Sequence, residues 1–98
     1  MLGVDANQGW RVAVIADAPL WDHDRALAFC RAAEASGFSW VEEPLPMDDY
    51  ASLARLTEAT DIAIAGGELN GGWHEFAVML EKGCFDLYQP DATFGGGI

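Results

Sequence analysis

Apolar residues in this chain fall into four short runs, at positions 1–4, 38–41, 62–65 and 85–89, separated by longer stretches with helical spacing. Runs of four or five residues bounded by turn formers suit strands rather than helices. In the first long stretch, Ala26, Leu27, Cys30 and Ala33 fall on one helix face, with Asp22 or Asp24 as the cap and Ser36-Gly37 as the stop. In the second, Leu53 and Leu56 face inward one turn after Tyr50, behind a cap at Asp48 or Asp49. The third spans about 73–81, with Phe76, Met79 and Leu80 as its stripe, Gly71-Gly72 leading in and Gly83 ending it. Residues 11–20 begin apolar but are stopped by Asp17-Ala18-Pro19, which predicts an inserted loop. The order β-α-β-α-β-α-β, with single helices joining short strands, requires parallel pairing and right-handed crossovers. The expected fold class is α/β, a partial (β/α) barrel with a parallel sheet.

Each apolar run leads into an acid. Asp5 follows 1–4, Glu42 follows 38–41, Glu68 follows 62–65 and Gly66-Gly67, and Asp91 follows 85–89 and Pro90. In a parallel barrel the carboxyl ends of the strands form one face, where chemistry is housed. Three carboxylates aimed at one point repel one another and call for a hard cation such as Mg²⁺.

The chain has 98 residues, whereas a complete barrel takes about 250, or roughly 30 per unit. Five Lys and Arg against 16 Asp and Glu give 5 − 16 = −11. That balance argues against nucleic acid and against anionic membranes as partners. Cys30 and Cys84 lack metal-type spacing and read as buried, reduced thiols. The start shows no basic segment followed by a long apolar one, and no run approaches the ~20 residues of a membrane span, so a cytoplasmic location is expected.

Four stretches then match a known pattern: Val4-Asp5-Ala6-Asn7-Gln8-Gly9-Trp10, Trp40-Val41-Glu42-Glu43-Pro44-Leu45, Ala65-Gly66-Gly67-Glu68 and Gln89-Pro90-Asp91-Ala92. In order and spacing they resemble the strand-end motifs of the enolase superfamily, most closely its mandelate racemase and muconate-lactonizing branch with the acid-sugar dehydratases. The resemblance implies that Asp5, Glu42 and Glu68 are Mg²⁺ ligands on the third, fourth and fifth barrel strands. It implies that Asp91, on the sixth, orients a histidine base from the seventh. The 98 residues are thus expected to be the metal-binding middle of the barrel domain, without the family's amino-terminal capping domain, second-strand lysine and seventh-strand histidine. Lys82 does not replace that lysine, because it lies at the far end of its helix.

The implied activity is Mg²⁺-dependent removal of the proton beside a carboxylate, where the cation's charge lowers the cost of the anion that forms. A lyase that dehydrates a sugar acid comes first. A racemase, epimerase or cycloisomerase of the same superfamily is the alternative, and so is an inactive barrel fragment. The partner is then a small carboxylate substrate, and full-length family members are expected to be homo-oligomers. Lacking both bases, the isolated chain is expected to be inactive, and either to self-associate through its open sheet edges or to form a loosely packed state that binds a hydrophobic dye.

The remaining polar residues divide more evenly. Asn7 either contacts substrate or supports Asp5, unless it only shapes its turn. His74, at the start of the third helix, either approaches the site or is merely solvated. Glu43 is expected to point away from Glu42 and pair outside the metal site. His23 reads as a solvated residue at a helix start.

Overall fold

The computed structural model describes residues 1–10 and 19–97, so most of the expected loop at 11–20 lies outside the described residues. The elements run β1 (Gly3–Asp5), α1 (Asn7–Trp10), α2 (His23–Ala35), β2 (Trp40–Glu42), α3 (Tyr50–Ala59), β3 (Ala63–Gly66), α4 (Gly72–Lys82) and β4 (Leu87–Tyr88). The four strands pair in parallel in the order β1-β2-β3-β4, so chain order is also spatial order. This is the expected α/β architecture, a portion of a parallel (β/α) barrel.

The helix ends follow local chemistry. Of the two candidate caps for α2, Asp22 is the one used: its Oδ1 accepts from the Arg25 N–H at 2.9 Å. Asp49 caps α3 through the Ser52 N–H at 3.1 Å. Ser36 closes α2, and Gly83, at φ 68°, closes α4 in the left-handed conformation that a residue without Cβ adopts freely.

The strands lie slightly further along the chain than the apolar runs. β1 and β2 extend to Asp5 and Glu42, making both acids terminal strand residues. β4 is reduced to Leu87 and Tyr88. Its expected start is displaced because the Asp86 side chain accepts the Ile64 N–H at 2.9 Å while the Asp86 N–H donates to Ile64 O at 2.8 Å.

The core lies between the sheet and α2, α3 and α4. Val41, Ile64, Leu53, Leu56, Cys30 and Met79 are fully buried in it. Cys30 and Cys84 are free, buried thiols, and burial pushes Cys30 up to about 11. Phe85 packs beneath β3, where a Cβ on Gly66 would stand 2.7 Å from its ring. The stripe expected on α4 is only partly realised: Met79 is buried, but Leu80 is 56 % exposed. α4, like α2, packs against the central α3. No described helix is long and apolar enough to cross a membrane.

Candidate functional site

Asp5 and Glu42 are register partners at the ends of β1 and β2. Glu68 lies two residues past the end of β3. All three therefore occupy the carboxyl-terminal rim of the sheet, exposed or half-buried.

The chain leaves β1 through a left-handed turn. Asn7, Gln8 and Gly9 have φ of 47°, 57° and 60°. Asparagine tolerates this region and glycine prefers it, whereas Gln8 does so at a cost. Three backbone bonds hold the turn in place: Ala6 N–H to Glu42 O at 2.8 Å, Gly9 N–H to Glu43 O at 3.0 Å and Trp21 N–H to Gly9 O at 3.2 Å. A Cβ on Gly9 would come within 2.9 Å of Pro44 O, so the close approach to the end of β2 also requires glycine. Inside the turn, Asp5 Oδ1 accepts the Asn7 N–H at 2.8 Å. Asn7 is exposed and supports Asp5 through its backbone.

Glu43 departs from the expectation. It does not pair away from the rim: it is buried, its Oε1 has no hydrogen-bond partner, and φ is 44°. The positive φ breaks the strand's alternation, so the side chain does not simply cross to the opposite face. Burial pushes its carboxyl up to about 7, reinforced by the charges of Glu68, Asp5 and Glu42. Glu42 is also raised, first by burial and then by Asp5 and Glu68, against a hydrogen bond from Gln89 that lowers it. For Glu42 and Glu43, then, burial comes first and the neighbouring carboxylates add to it.

Sequence reasoning missed Gln89. It reaches Glu42 from the residue just after β4, two strands away, across the end of β3, where Gly66 and Gly67 present no side chain. The available signal was its position, one residue before Pro90 at a strand end on the same rim. Its Oε1 is buried without a partner.

The donor set suits a hard cation: carboxylate oxygens, no thiolate among them, and mutual repulsion that a divalent charge would relieve. Among the described residues, however, no three His, Cys, Asp or Glu side chains stand in a geometry that could hold a metal ion. The expected convergence of Asp5, Glu42 and Glu68 therefore extends to a shared rim and a shared field.

Asp91 is exposed, and its Oδ1 accepts from the N–H groups of Thr93 at 2.6 Å and Phe94 at 3.4 Å. These bonds hold its carboxyl below the usual range. His74 is exposed in the first turn of α4, on the rim side of the sheet.

Four successive parallel strands, each crossover helical and each strand leading into an acid on one rim, define a (β/α)-barrel segment with a polyanionic mouth. The chain belongs to the enolase C-terminal domain-like family, whose sequence model matches residues 1–98. It is 35 % identical over 97 residues to L-talarate/galactarate dehydratase of Salmonella typhimurium, covering 99 % of this chain and 22 % of that protein. It is 32 % identical over 96 residues to 3,6-anhydro-alpha-L-galactonate cycloisomerase of Streptomyces coelicolor, covering 98 % and 24 % respectively. Among solved structures it is similar to L-talarate dehydratase from Polaromonas sp. JS666 complexed with Mg and L-glucarate, with a TM-score of 0.83, 34 % identity, and coverage of 99 % of this chain and 24 % of that one. The chain therefore spans less than a quarter of the length of these relatives.

Proposed function

We propose that this chain is the cation-binding middle of the barrel in a Mg²⁺-dependent enzyme that removes the proton beside a carboxylate, and that its reaction is the dehydration of a sugar acid. Asp5, Glu42 and Glu68 are the proposed ligands. The observation that carries this reading is their placement on one rim at the ends of three adjacent parallel strands, with Asp5 and Glu42 in register. Similarity to a dehydratase of known sugar-acid chemistry supports the substrate class.

Mg²⁺ at this rim would supply positive charge to offset the negative charge that grows on the substrate carboxylate. The chain's own residues prepare the place. Gln89 donates to Glu42 and restrains it. The Asn7 N–H fixes one oxygen of Asp5. Asp91, three residues past the end of β4, is proposed as the group that would orient a base. Lys82 lies in the last turn of α4, away from the rim, so proton abstraction is proposed to draw on residues outside these 98. A cycloisomerase is the second reading, favoured by the similarity to the Streptomyces coelicolor enzyme.

The test is turnover of galactarate or L-talarate by the whole gene product, with and without Mg²⁺. The expected result is Mg²⁺-dependent loss of water. In Glu68→Gln the loss of activity should exceed the 10–100-fold, approximately, that groups supporting a metal ligand contribute. Full turnover in excess chelator would overturn the proposal.

A further inference from the structure

Asn70 is 1 % exposed, and its place in the fold is unusual. Its backbone N–H donates to Gly67 O at 3.2 Å, closing a four-residue turn in which Glu68 is the second residue. Its side-chain Nδ2 donates to Met47 O at 3.2 Å, in the loop that follows Glu42 and Glu43. The same Nδ2 donates to Glu75 Oε1 at 2.7 Å, in the first turn of α4. Both partners are acceptors only, which fixes the orientation of the amide.

Glu75 gathers the other end. Its Oε2 accepts the Gly71 N–H at 2.8 Å, and its Oε1 also accepts the Tyr50 hydroxyl from the first turn of α3. The loop after β2, the turn after β3, and the starts of α3 and α4 therefore meet at one amide and one carboxylate. The Asn70 Oδ1 is buried without a partner, so the two Nδ2 bonds alone hold the amide, and losing them would leave a buried polar group wholly unpaired.

We infer that Asn70, Glu75 and Tyr50 form a bracket that positions the Glu68 carboxylate relative to Glu42, so that the spacing of two proposed cation ligands is set by hydrogen bonds outside the cation site. None of the three is a proposed ligand; they are positioning residues. The inference rests on the proposed function, because it takes Glu68 as a ligand.

The test is Mg²⁺ titration by calorimetry on the whole gene product, at a temperature well below every variant's melting point. Tyr50→Phe keeps the ring and removes only the hydroxyl; Asn70→Ala removes the central donor; Glu68→Gln removes the proposed ligand. The expected result is a Mg²⁺ Kd about tenfold weaker in Tyr50→Phe and in Asn70→Ala, as for groups that orient metal ligands, with binding lost in Glu68→Gln. A purely structural role would lower the melting temperature and leave Kd unchanged. Unchanged Kd in both bracket variants, with binding lost in Glu68→Gln, would overturn the bracket and leave the functional reading intact. Unchanged binding in Glu68→Gln would overturn both.

Discussion

Asp5 and Glu42 end neighbouring parallel strands as direct register partners, two acids side by side where most sheets avoid like charges. Glu42 feels the crowding: its carboxyl is raised by burial and by the charges of Asp5 and Glu68.

Neutralising one of them should separate stability from cation binding. Glu42→Gln retains an oxygen for the Gln89 hydrogen bond while removing a charge. In chelator the variant should melt a few degrees higher than the parent, because the rim is wet and the repulsion is on the order of 1 kcal/mol or less. On addition of Mg²⁺ the parent should gain stability and the variant should gain less. Calorimetric melting with and without Mg²⁺ measures both effects, and a lower melting point for the variant in chelator would contradict the repulsion.

The contact between β3 and the segment before β4 is equally specific. A Cβ on Gly66 would lie 2.7 Å from the Phe85 ring, and Phe85 is buried. Gly66→Ala must displace an aromatic side chain from the core and should cost about 1–3 kcal/mol. Urea unfolding followed by tryptophan fluorescence measures it; an unchanged midpoint would mean that Phe85 repacks freely.

The Tyr50–Glu75 pair predicts stability losses at both ends of the pH scale. Burial opposes the charge on Glu75, but hydrogen bonds from Tyr50, Asn70 and Gly71 outweigh it and hold the carboxyl below its ordinary 4.5. A depressed acid stabilises the fold above that value, and the contribution is lost as pH falls through the lower folded value. Tyr50 moves the other way, raised from 10 to about 12 by its hydrogen bond to Glu75 and then by burial. Its contribution is complete below pH 10 and lost as pH rises from 10 towards 12. Absorbance at 295 nm should show tyrosine ionising well above pH 10 in the folded protein. Tyr50→Phe should remove the Tyr50 share of that late titration and weaken the acid limb of the stability curve.

The sequence shows these features to different depths. The stops at Ser36 and Gly83 depend on one residue's local chemistry and were legible, as was the succession of acids after apolar runs; the starts were legible only to a pair of acids, Asp22 or Asp24 and Asp48 or Asp49, from which the fold uses Asp22 and Asp49. The family resemblance extends across the whole chain and is matched by the family model over residues 1–98. The left-handed turn at Asn7–Gly9 and the positive φ of Glu43 were not legible, because backbone bonds between β1 and β2 hold them there. Gln89 reaches Glu42 from two strands away, and Tyr50 meets Glu75 from 25 residues away; neither pairing has a local signature. Leu80 was misplaced because periodicity marks an apolar stripe on a helix but not which part of it a neighbour covers.

The sequential strand order has a consequence for how such a rim tolerates change. Asp5 and Glu42 are 42 − 5 = 37 residues apart, Glu42 and Glu68 are 68 − 42 = 26, and Glu68 and Asp91 are 91 − 68 = 23. Despite the longer first interval, β1 and β2 remain in step, with Asp5 opposite Glu42. Each crossover can therefore grow or shrink without changing which acids are neighbours. Length variation is decoupled from the geometry of the mouth, leaving the connecting segments free to diverge while the spacing of the acids stays put.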